Sequence, residues 1–180
     1  MSTSPLTPKI EKSTIVYSGY YDVRVDILSL PNIDPISYTT LLAAEEAAVV
    51  IAETEEGLLV INKEYRHPSG LWLYGLPGGR VDRGELPLMT AQRELREETG
   101  FEAASWQHIG TAFPMPAVCG QKIHYYLAKG ARLISSTQKE PLELITTLLM
   151  EKEQLLADIH QGTPTDGVLL AGLTFRSLHP

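Results

Sequence analysis

The 180-residue chain has a single cysteine, Cys119, and no apolar run near the roughly 20 residues that span a bilayer. One thiol cannot form an internal disulfide, so the cysteine content does not indicate an exported, cross-linked fold. The first dozen residues are polar and contain proline, without the apolar segment of a signal peptide. We therefore expect a cytoplasmic protein that has no membrane partner.

Basic residues are also scarce. Lys and Arg total 15 against 22 Asp and Glu, the net charge is −7, and no Lys/Arg cluster occurs. Nucleic-acid-binding proteins usually carry a basic face, because phosphate contacts supply much of their affinity. We therefore expect no nucleic-acid partner. An acidic protein that handles phosphates usually needs divalent metal ions between itself and its substrate.

The order of elements predicts one mixed α/β (α+β) layered domain with a small N-terminal extension. Residues 13–30 alternate in the manner of a hairpin with a long second strand, and residues 31–35 indicate a turn. A helix is expected from Pro87 to Thr99, ended by Gly100 in the left-handed conformation. Further strands are predicted near residues 47–53, 58–66, 71–76, 106–111, 121–127 and 142–150, and two helices after them.

Three carboxylates are expected to share one face of the predicted helix. At about 100° per residue, Glu94, Glu97 and Glu98 project together. An apolar stripe containing Leu88 and Leu95 can bury the opposite side, so we expect the carboxylate face to be exposed. A hard divalent cation would relieve the repulsion between these charges. The alternative is an ordinary acidic face solvated by water.

The segment from Gly79 to Phe101 fills every fixed position of the Nudix box, G-x5-E-x7-R-E-U-x-E-E-x-G-U, in which U is a bulky apolar residue. The chain therefore resembles the Nudix hydrolase superfamily. That resemblance implies an α/β/α sandwich with a mixed sheet, preceded by a small N-terminal hairpin. It also implies metal-dependent hydrolysis of a nucleoside diphosphate linked to another group. The expected organisation is a flexible tail (1–13), a hairpin extension (14–40) and a Nudix domain (41–180).

The resemblance also implies roles for residues of the box. Glu94, Glu97 and Glu98 would be catalytic ligands of Mg²⁺, for which Mn²⁺ could substitute, with the carbonyl of Gly78 or Gly79 completing the set. Glu85 and Arg93 would form an ion pair that fixes the loop on the helix. Gly100 would end the helix.

Residues outside the box resemble the ADP-ribose and nucleotide-sugar pyrophosphatase group. Arg66, in the segment Glu64–Pro68, matches an arginine that contacts the diphosphate. Pro116 matches a proline beyond the box, and Tyr21 is a candidate for stacking on a base, with a core role as the alternative. The group's N-terminal sheet exchanges between subunits, which implies a homodimer.

Four positions depart from that group's pattern. Gly75 and Gly78 replace the usual Glu and Ala before the helix, while Ala117 and Gln121 replace a Gly and a Glu after the proline. Since glutamine cannot ionise, a carboxylate role at position 121 is lost. Glu140 and Glu143 are then the candidates for a general base or a further metal ligand.

The function expected from the sequence is cleavage of ADP-ribose or a nucleoside diphosphate sugar to two monophosphates, with a small-molecule nucleotide as substrate. Three alternatives remain open. The chain could hydrolyse nucleoside triphosphates or dinucleoside polyphosphates, or it could be a Nudix module that senses a nucleotide without turning it over.

Overall fold

The computed structural model describes residues 6–43, 46–138 and 144–179. They form two compact units. The first contains the described residues up to 43 together with Met115–Gln121, and the second contains the remaining described residues. No described helix is long and apolar enough to cross a membrane. The first unit thus includes residues 115–121, which the sequence-based boundaries assigned to the Nudix domain.

The first unit is a three-stranded antiparallel sheet. Its strands are β1 (Lys9–Tyr17), β2 (Asp22–Leu30) and β3 (Ile33–Leu42), in that order across the sheet. β1 therefore begins inside the predicted tail. The predicted turn at 31–35 is present at residues 31 and 32, but β3 already begins at Ile33. Proline suggested that turn, but Pro35 lies on an edge strand where the register with β2 is irregular. Edge strands and bulges tolerate proline, because no ladder hydrogen bond from its nitrogen is needed there.

The second unit contains the main sheet. Its strands are β4 (Glu46–Thr54), β5 (Leu59–Arg66), β6 (Leu71–Gly75), β7 (Gly78–Arg80), β8 (Phe101–Glu102), β9 (Ser105–Ala112), β10 (Lys122–Leu133) and β11 (Ile145–Met150). The central order is β11-β5-β4-β10-β8, with β6 beside β5, β7 beside β4 and β9 beside β10. β4 and β10 run parallel, whereas the other pairs are antiparallel, so the sheet is mixed as predicted.

The described residues contain three helices, which cover the sheet: α1 (Pro87–Thr99), α2 (Lys152–His160) and α3 (Gly167–Ser177). α1 has proline in its first turn and ends at Gly100, whose φ of 77° is left-handed. Proline suits that position because its φ is already helical and its missing N–H would be unpaired there. Asp166 caps α3 by accepting a hydrogen bond from the Val168 amide.

The core has two apolar layers, one on each face of the main sheet. Along β4, Val49 and Ile51 pack in a cluster with Leu155 of α2 and Leu169 of α3. The alternate β4 residues Ala48, Val50 and Ala52 pack on the other face, in a cluster that contains Ala91 and Leu95 of α1. Because successive strand residues point to opposite faces, one apolar strand supports helices on both sides. This is the predicted α/β/α sandwich.

We expect Leu95→Ala to lower the free energy of unfolding by about 2–5 kcal/mol, because it leaves a cavity between α1 and the sheet. Leu95 is fully buried at 0% exposure. The matched control is Leu86→Ala, since Leu86 is 68% exposed at the start of the same helix and should change stability by about 0.5 kcal/mol or less. Urea unfolding measures both. Equal losses in the two variants would contradict this packing.

Candidate active site

Two glycines bring β7, the short strand before α1, into close contact with its neighbours. In β7, Gly78 pairs with Val49 and Gly79 with Ala48. A Cβ atom at Gly78 would lie 2.7 Å from the Val49 Cα, and one at Gly79 would lie 2.6 Å from the carboxyl carbon of Glu94. Real Cβ atoms do not approach other atoms so closely. At Gly78 the close atoms are backbone, so the position requires glycine, whereas a side chain at Gly79 would displace the Glu94 carboxylate.

Arg93 connects three carboxylates. Its Nε and Nη2 atoms each donate a hydrogen bond to one carboxylate oxygen of Glu85, and both donor–acceptor distances are 3.2 Å. Its Nη1 atom donates to Glu94 Oε1 at 2.8 Å and to Glu97 Oε2 at 3.1 Å. Nη2 also reaches the carbonyl of Arg80 at 3.4 Å. One guanidinium thus ties the loop to the helix and partly neutralises the acidic surface.

Pairing between Glu85 and Arg93 shifts the pKa of both groups. Hydrogen bonding from Arg93 lowers the pKa of Glu85, and further bonds from the Thr90 hydroxyl at 2.7 Å and the Asp82 amide at 3.3 Å act in the same direction. Burial opposes this effect. The hydrogen bond to Glu85, followed by the charge of Glu94, raises the pKa of Arg93 above its usual range. Both groups are therefore charged near neutral pH.

The expectation of an exposed carboxylate face is wrong for two of the three glutamates. Glu94 is 9% exposed and Glu98 is 6% exposed. Glu98 Oε2 accepts hydrogen bonds from the Gly78 amide and from Nδ2 of Asn62, each at 2.9 Å. The helical pattern gives the direction in which a side chain points, but it does not show that a loop and a neighbouring strand cover that direction. Only the side chain of Glu97, 34% exposed, is substantially open to solvent.

The sequence analysis missed Asn62 as a residue of this site. The available signal was its position, since this polar amide follows the apolar residues Val60 and Ile61 within one strand. Asparagine is depleted in strands, and buried polar side chains need partners. That signal marks Asn62 as unusual but does not identify Glu98 as its partner.

The donor chemistry of the site fits a hard divalent cation, because Mg²⁺ prefers carboxylate and carbonyl oxygens. The Glu94 carboxylate packs closely against the backbone of Gly79. Within the described ranges, no three His, Cys, Asp or Glu side chains are arranged to hold a metal ion. In this arrangement the Nη1 atom of Arg93 binds both Glu94 and Glu97.

Arg66 lies on the same face of β5 as Asn62, because residues two and four apart on a strand point the same way. Its side chain is 49% exposed, and its Nη2 atom lies 2.7 Å from Glu64 Oε2. The structure therefore places this predicted substrate-binding arginine on the sheet face from which Asn62 reaches Glu98.

Tyr21 and Pro116 belong to the first unit. Tyr21 is 39% exposed, so it is not a core tyrosine. Its ring packs edge-on against the ring of Tyr20, with the two ring centroids 4.7 Å apart. Pro116 is exposed. Glu140 and Glu143 lie outside the described residues.

Comparison with known proteins identifies the family. The model of the NUDIX domain matches residues 44–168. The chain belongs to the Nudix family. A crystal structure described as an ADP compounds hydrolase superposes on this Nudix chain with a TM-score of 0.82, at 21% identity, and covers 98% of this chain and 96% of that one. The superposition shows a shared fold.

Two relatives are each 34% identical to this chain. One, from Streptomyces rubellomurinus, is a CMP-5'-(N-acetyl-N-hydroxy-3-aminopropyl)phosphonate hydrolase, matched over 162 residues that cover 89% of this chain and 78% of the relative. The other is an ADP-ribose pyrophosphatase of Mycobacterium tuberculosis. It is matched at 34% identity over 140 residues, which cover 77% of this chain and 67% of the relative. The resemblance to that pyrophosphatase group is thus confirmed, and the chain is a Nudix-type hydrolase of phosphoric anhydrides.

We expect Glu85→Gln to reduce the pH dependence of stability in acid. Because folding lowers the pKa of Glu85, its contribution is fully present above the unfolded value of about 4.3 and is lost as the pH falls through the lower folded value. The variant should therefore be less stable than the wild type at pH 7, and the difference should shrink toward pH 3. Urea unfolding across this range measures the effect.

The control for that experiment is Glu102→Gln, because the side chain of Glu102 is 50% exposed and its nearest cation, Arg96, is 3.7 Å away. This variant should follow the wild type at every pH. A Glu85→Gln curve parallel to that of the wild type would contradict the assigned pKa shift.

Proposed function

We propose that this Nudix protein is a Mg²⁺-dependent hydrolase that splits the pyrophosphate bond of ADP-ribose or a related nucleoside diphosphate sugar into two monophosphates. The supporting observation is the arrangement of the complete box, in which Glu94 and Glu98 are buried against the Gly78–Gly79 loop. The similarity to an ADP-ribose pyrophosphatase supports the choice of substrate. The cytoplasmic location stays a prediction.

The metal site of this proposal consists of Glu94, Glu97 and Glu98 with the carbonyl of Gly78 or Gly79. Two or three Mg²⁺ ions would be held there, and Mn²⁺ could replace them. When bound, such ions neutralise phosphate oxygens and lower the pKa of the water that attacks phosphorus. Arg93 would release Glu94 and Glu97 to these ions while its Nε and Nη2 atoms keep Glu85.

Arg66 is the proposed ligand of the diphosphate, because its planar guanidinium can bind two phosphate oxygens at once. Its side chain is half exposed on the face of β5 that also carries Asn62. On substrate binding, Arg66 would leave its ion pair with Glu64 and bind the diphosphate instead. Tyr21 and Pro116 remain proposed substrate contacts from the first unit. Glu140 and Glu143 remain the proposed candidates for a general base.

A second candidate substrate is a nucleoside monophosphate linked to a phosphonate. The relative that hydrolyses a CMP-linked phosphonate matches 89% of this chain, against 77% for the mycobacterial ADP-ribose pyrophosphatase. Both substrates contain a phosphorus–oxygen–phosphorus bridge, so the same metal site could serve either. Hydrolysis of triphosphates or dinucleoside polyphosphates, and nucleotide sensing without turnover, are further candidate functions.

The test is incubation with Mg²⁺ and a panel of candidate substrates, with products identified by mass. The panel contains ADP-ribose, nucleoside diphosphate sugars, a CMP-linked phosphonate, nucleoside triphosphates and dinucleoside polyphosphates. We expect two monophosphates from ADP-ribose or a nucleotide sugar. Release of pyrophosphate from triphosphates would overturn the proposed substrate class. Binding of ADP-ribose without turnover of any compound would favour the sensor.

We expect Glu98→Gln to reduce turnover about a hundredfold or more, the scale of losing one preorganised charge-stabilising group. Glutamine keeps the shape of the side chain, so the fold should survive. The matched control is Glu55→Gln, which changes an exposed glutamate in the turn after β4 and should leave the rate unchanged. Steady-state kinetics with circular dichroism measure both. Near-normal turnover by Glu98→Gln would contradict the metal assignment.

We also propose a homodimer formed through the first unit. Its sheet carries large exposed apolar side chains, and two of them, Ile10 (54% exposed) and Ile36 (47% exposed), pair with Leu28 from either side. The three residues therefore form one row on one face. Apolar rows of this kind usually mark an interface.

The double variant Ile10→Lys/Ile36→Lys should shift the protein from dimer to monomer, because it places two charges in that row. Ser37→Lys adds an exposed charge to the opposite face of β3 and serves as the control. Size-exclusion chromatography with light scattering gives the mass. A wild-type protein that is monomeric at every concentration would contradict the dimer.

A further inference from the structure

Asn62 is an unusual residue for its position. It is 1% exposed and directly follows the buried apolar residues Val60 and Ile61 of β5. Asparagine is disfavoured in strands, and burying an amide costs free energy unless its donor and acceptor groups are both paired. A leucine or valine of similar size would suit the interior of this sheet better. The presence of Asn62 therefore needs a reason other than the stability of the strand.

The backbone of Asn62 supplies no such reason. Asn62 is paired in register with Gly75 of β6 on one side and with Thr147 of β11 on the other. Any residue except proline could occupy this ladder position. What distinguishes asparagine is the side-chain amide alone.

The two ends of that amide differ in their contacts. Nδ2 donates to Glu98 Oε2 at 2.9 Å, whereas Oδ1 is buried without a hydrogen-bond partner among the described residues. A charged carboxylate can only accept hydrogen bonds, so the donor end of the amide must face Glu98. A buried amide that serves the fold normally has both ends paired. Here the satisfied end is the one that touches Glu98.

Glu98 Oε2 receives a second donor from the Gly78 amide, also at 2.9 Å. Two hydrogen bonds to one oxygen fix both the position and the plane of the carboxylate. The amide of Gly78 comes from β7, while Nδ2 of Asn62 comes from β5. The carboxylate is thus oriented by two separate strands, and Asn62 is the donor that a side-chain substitution removes without changing the backbone.

We propose that Asn62 is a positioning residue that orients Glu98 for metal binding. The proposal rests on the proposed function, in which Glu98 is a metal ligand, and it assigns to the strand β5 a role that the Nudix box does not contain. Hydrogen bonds that orient ligating carboxylates contribute strongly to metal sites, and their loss typically weakens metal affinity by about 10–100-fold.

The test measures Mn²⁺ binding to the metal-free protein without substrate, by electron paramagnetic resonance of the free ion. We expect Asn62→Leu to bind Mn²⁺ about tenfold more weakly than the wild type. Asn62→Val, which suits a strand, is the second variant in case the first does not fold. Thermal unfolding confirms the fold of each protein before its binding is compared.

The matched control is Ile61→Val. It removes one buried methyl group from the adjacent residue of the same strand, on the opposite face of the sheet, where Ile61 packs with Leu155 and Leu169 in the α2–α3 layer. It should leave Mn²⁺ affinity unchanged. Equal weakening by Ile61→Val would overturn the proposal, because the effect would then be a general one on the strand.

Two further outcomes separate this proposal from the proposed function. If the wild type binds Mn²⁺ and the Asn62 variants bind it equally well, the role of Asn62 is overturned and the metal site stands. If the wild type does not bind Mn²⁺, both are overturned. In the ¹⁵N-labelled wild type, Mg²⁺ should also shift the side-chain amide signal of Asn62, and an unmoved signal would overturn the proposal even if no variant folds.

Discussion

The site depends on one guanidinium placed among carboxylates. Arg93 binds Glu85 through Nε and Nη2. Its third nitrogen, Nη1, donates hydrogen bonds to both Glu94 and Glu97. Without it, like charges one turn apart would destabilise α1, and the loop that carries Glu85 would lose its attachment to the helix. In the proposed metal site, Glu94 and Glu97 would have to leave Arg93 to bind the ions. Arg93 thus offsets the repulsion among these carboxylates and attaches the Glu85 segment to α1.

Burial then turns an acidic helix face into a defined site. The glycines of β7 allow the loop backbone to reach Glu94, and Gly78 and Asn62 each donate to Glu98. These contacts join the strands β5 and β7 to the helix α1. Charge-assisted hydrogen bonds of this kind are stronger than neutral ones, and they fix the direction of each carboxylate. Such preorganisation is what a metal-dependent hydrolase needs.

Much of this arrangement could be predicted from residue patterns. Pro87 and Gly100 indicated the ends of α1, and strands were predicted at residues 47–53 and 121–127, which overlap β4 and β10. The start of β3 was missed because Pro35 suggests a turn. Only the pairing of β3 with β2 shows that Pro35 lies on an edge strand, where proline is tolerated. The burial of Glu98 was missed for a similar reason. Periodicity describes one element, whereas burial depends on what packs against it.

The most direct test of this account is a crystal structure of the wild-type protein with Mn²⁺, in which anomalous scattering locates the ion. The account predicts a peak bounded by Glu94, Glu98 and the loop carbonyl of Gly78 or Gly79. Glu94 should have moved from Arg93 to the ion, while Glu85 still pairs with Arg93. A Mn²⁺ peak away from α1, or one beside a Glu94 that remains bonded to Arg93, would contradict the account.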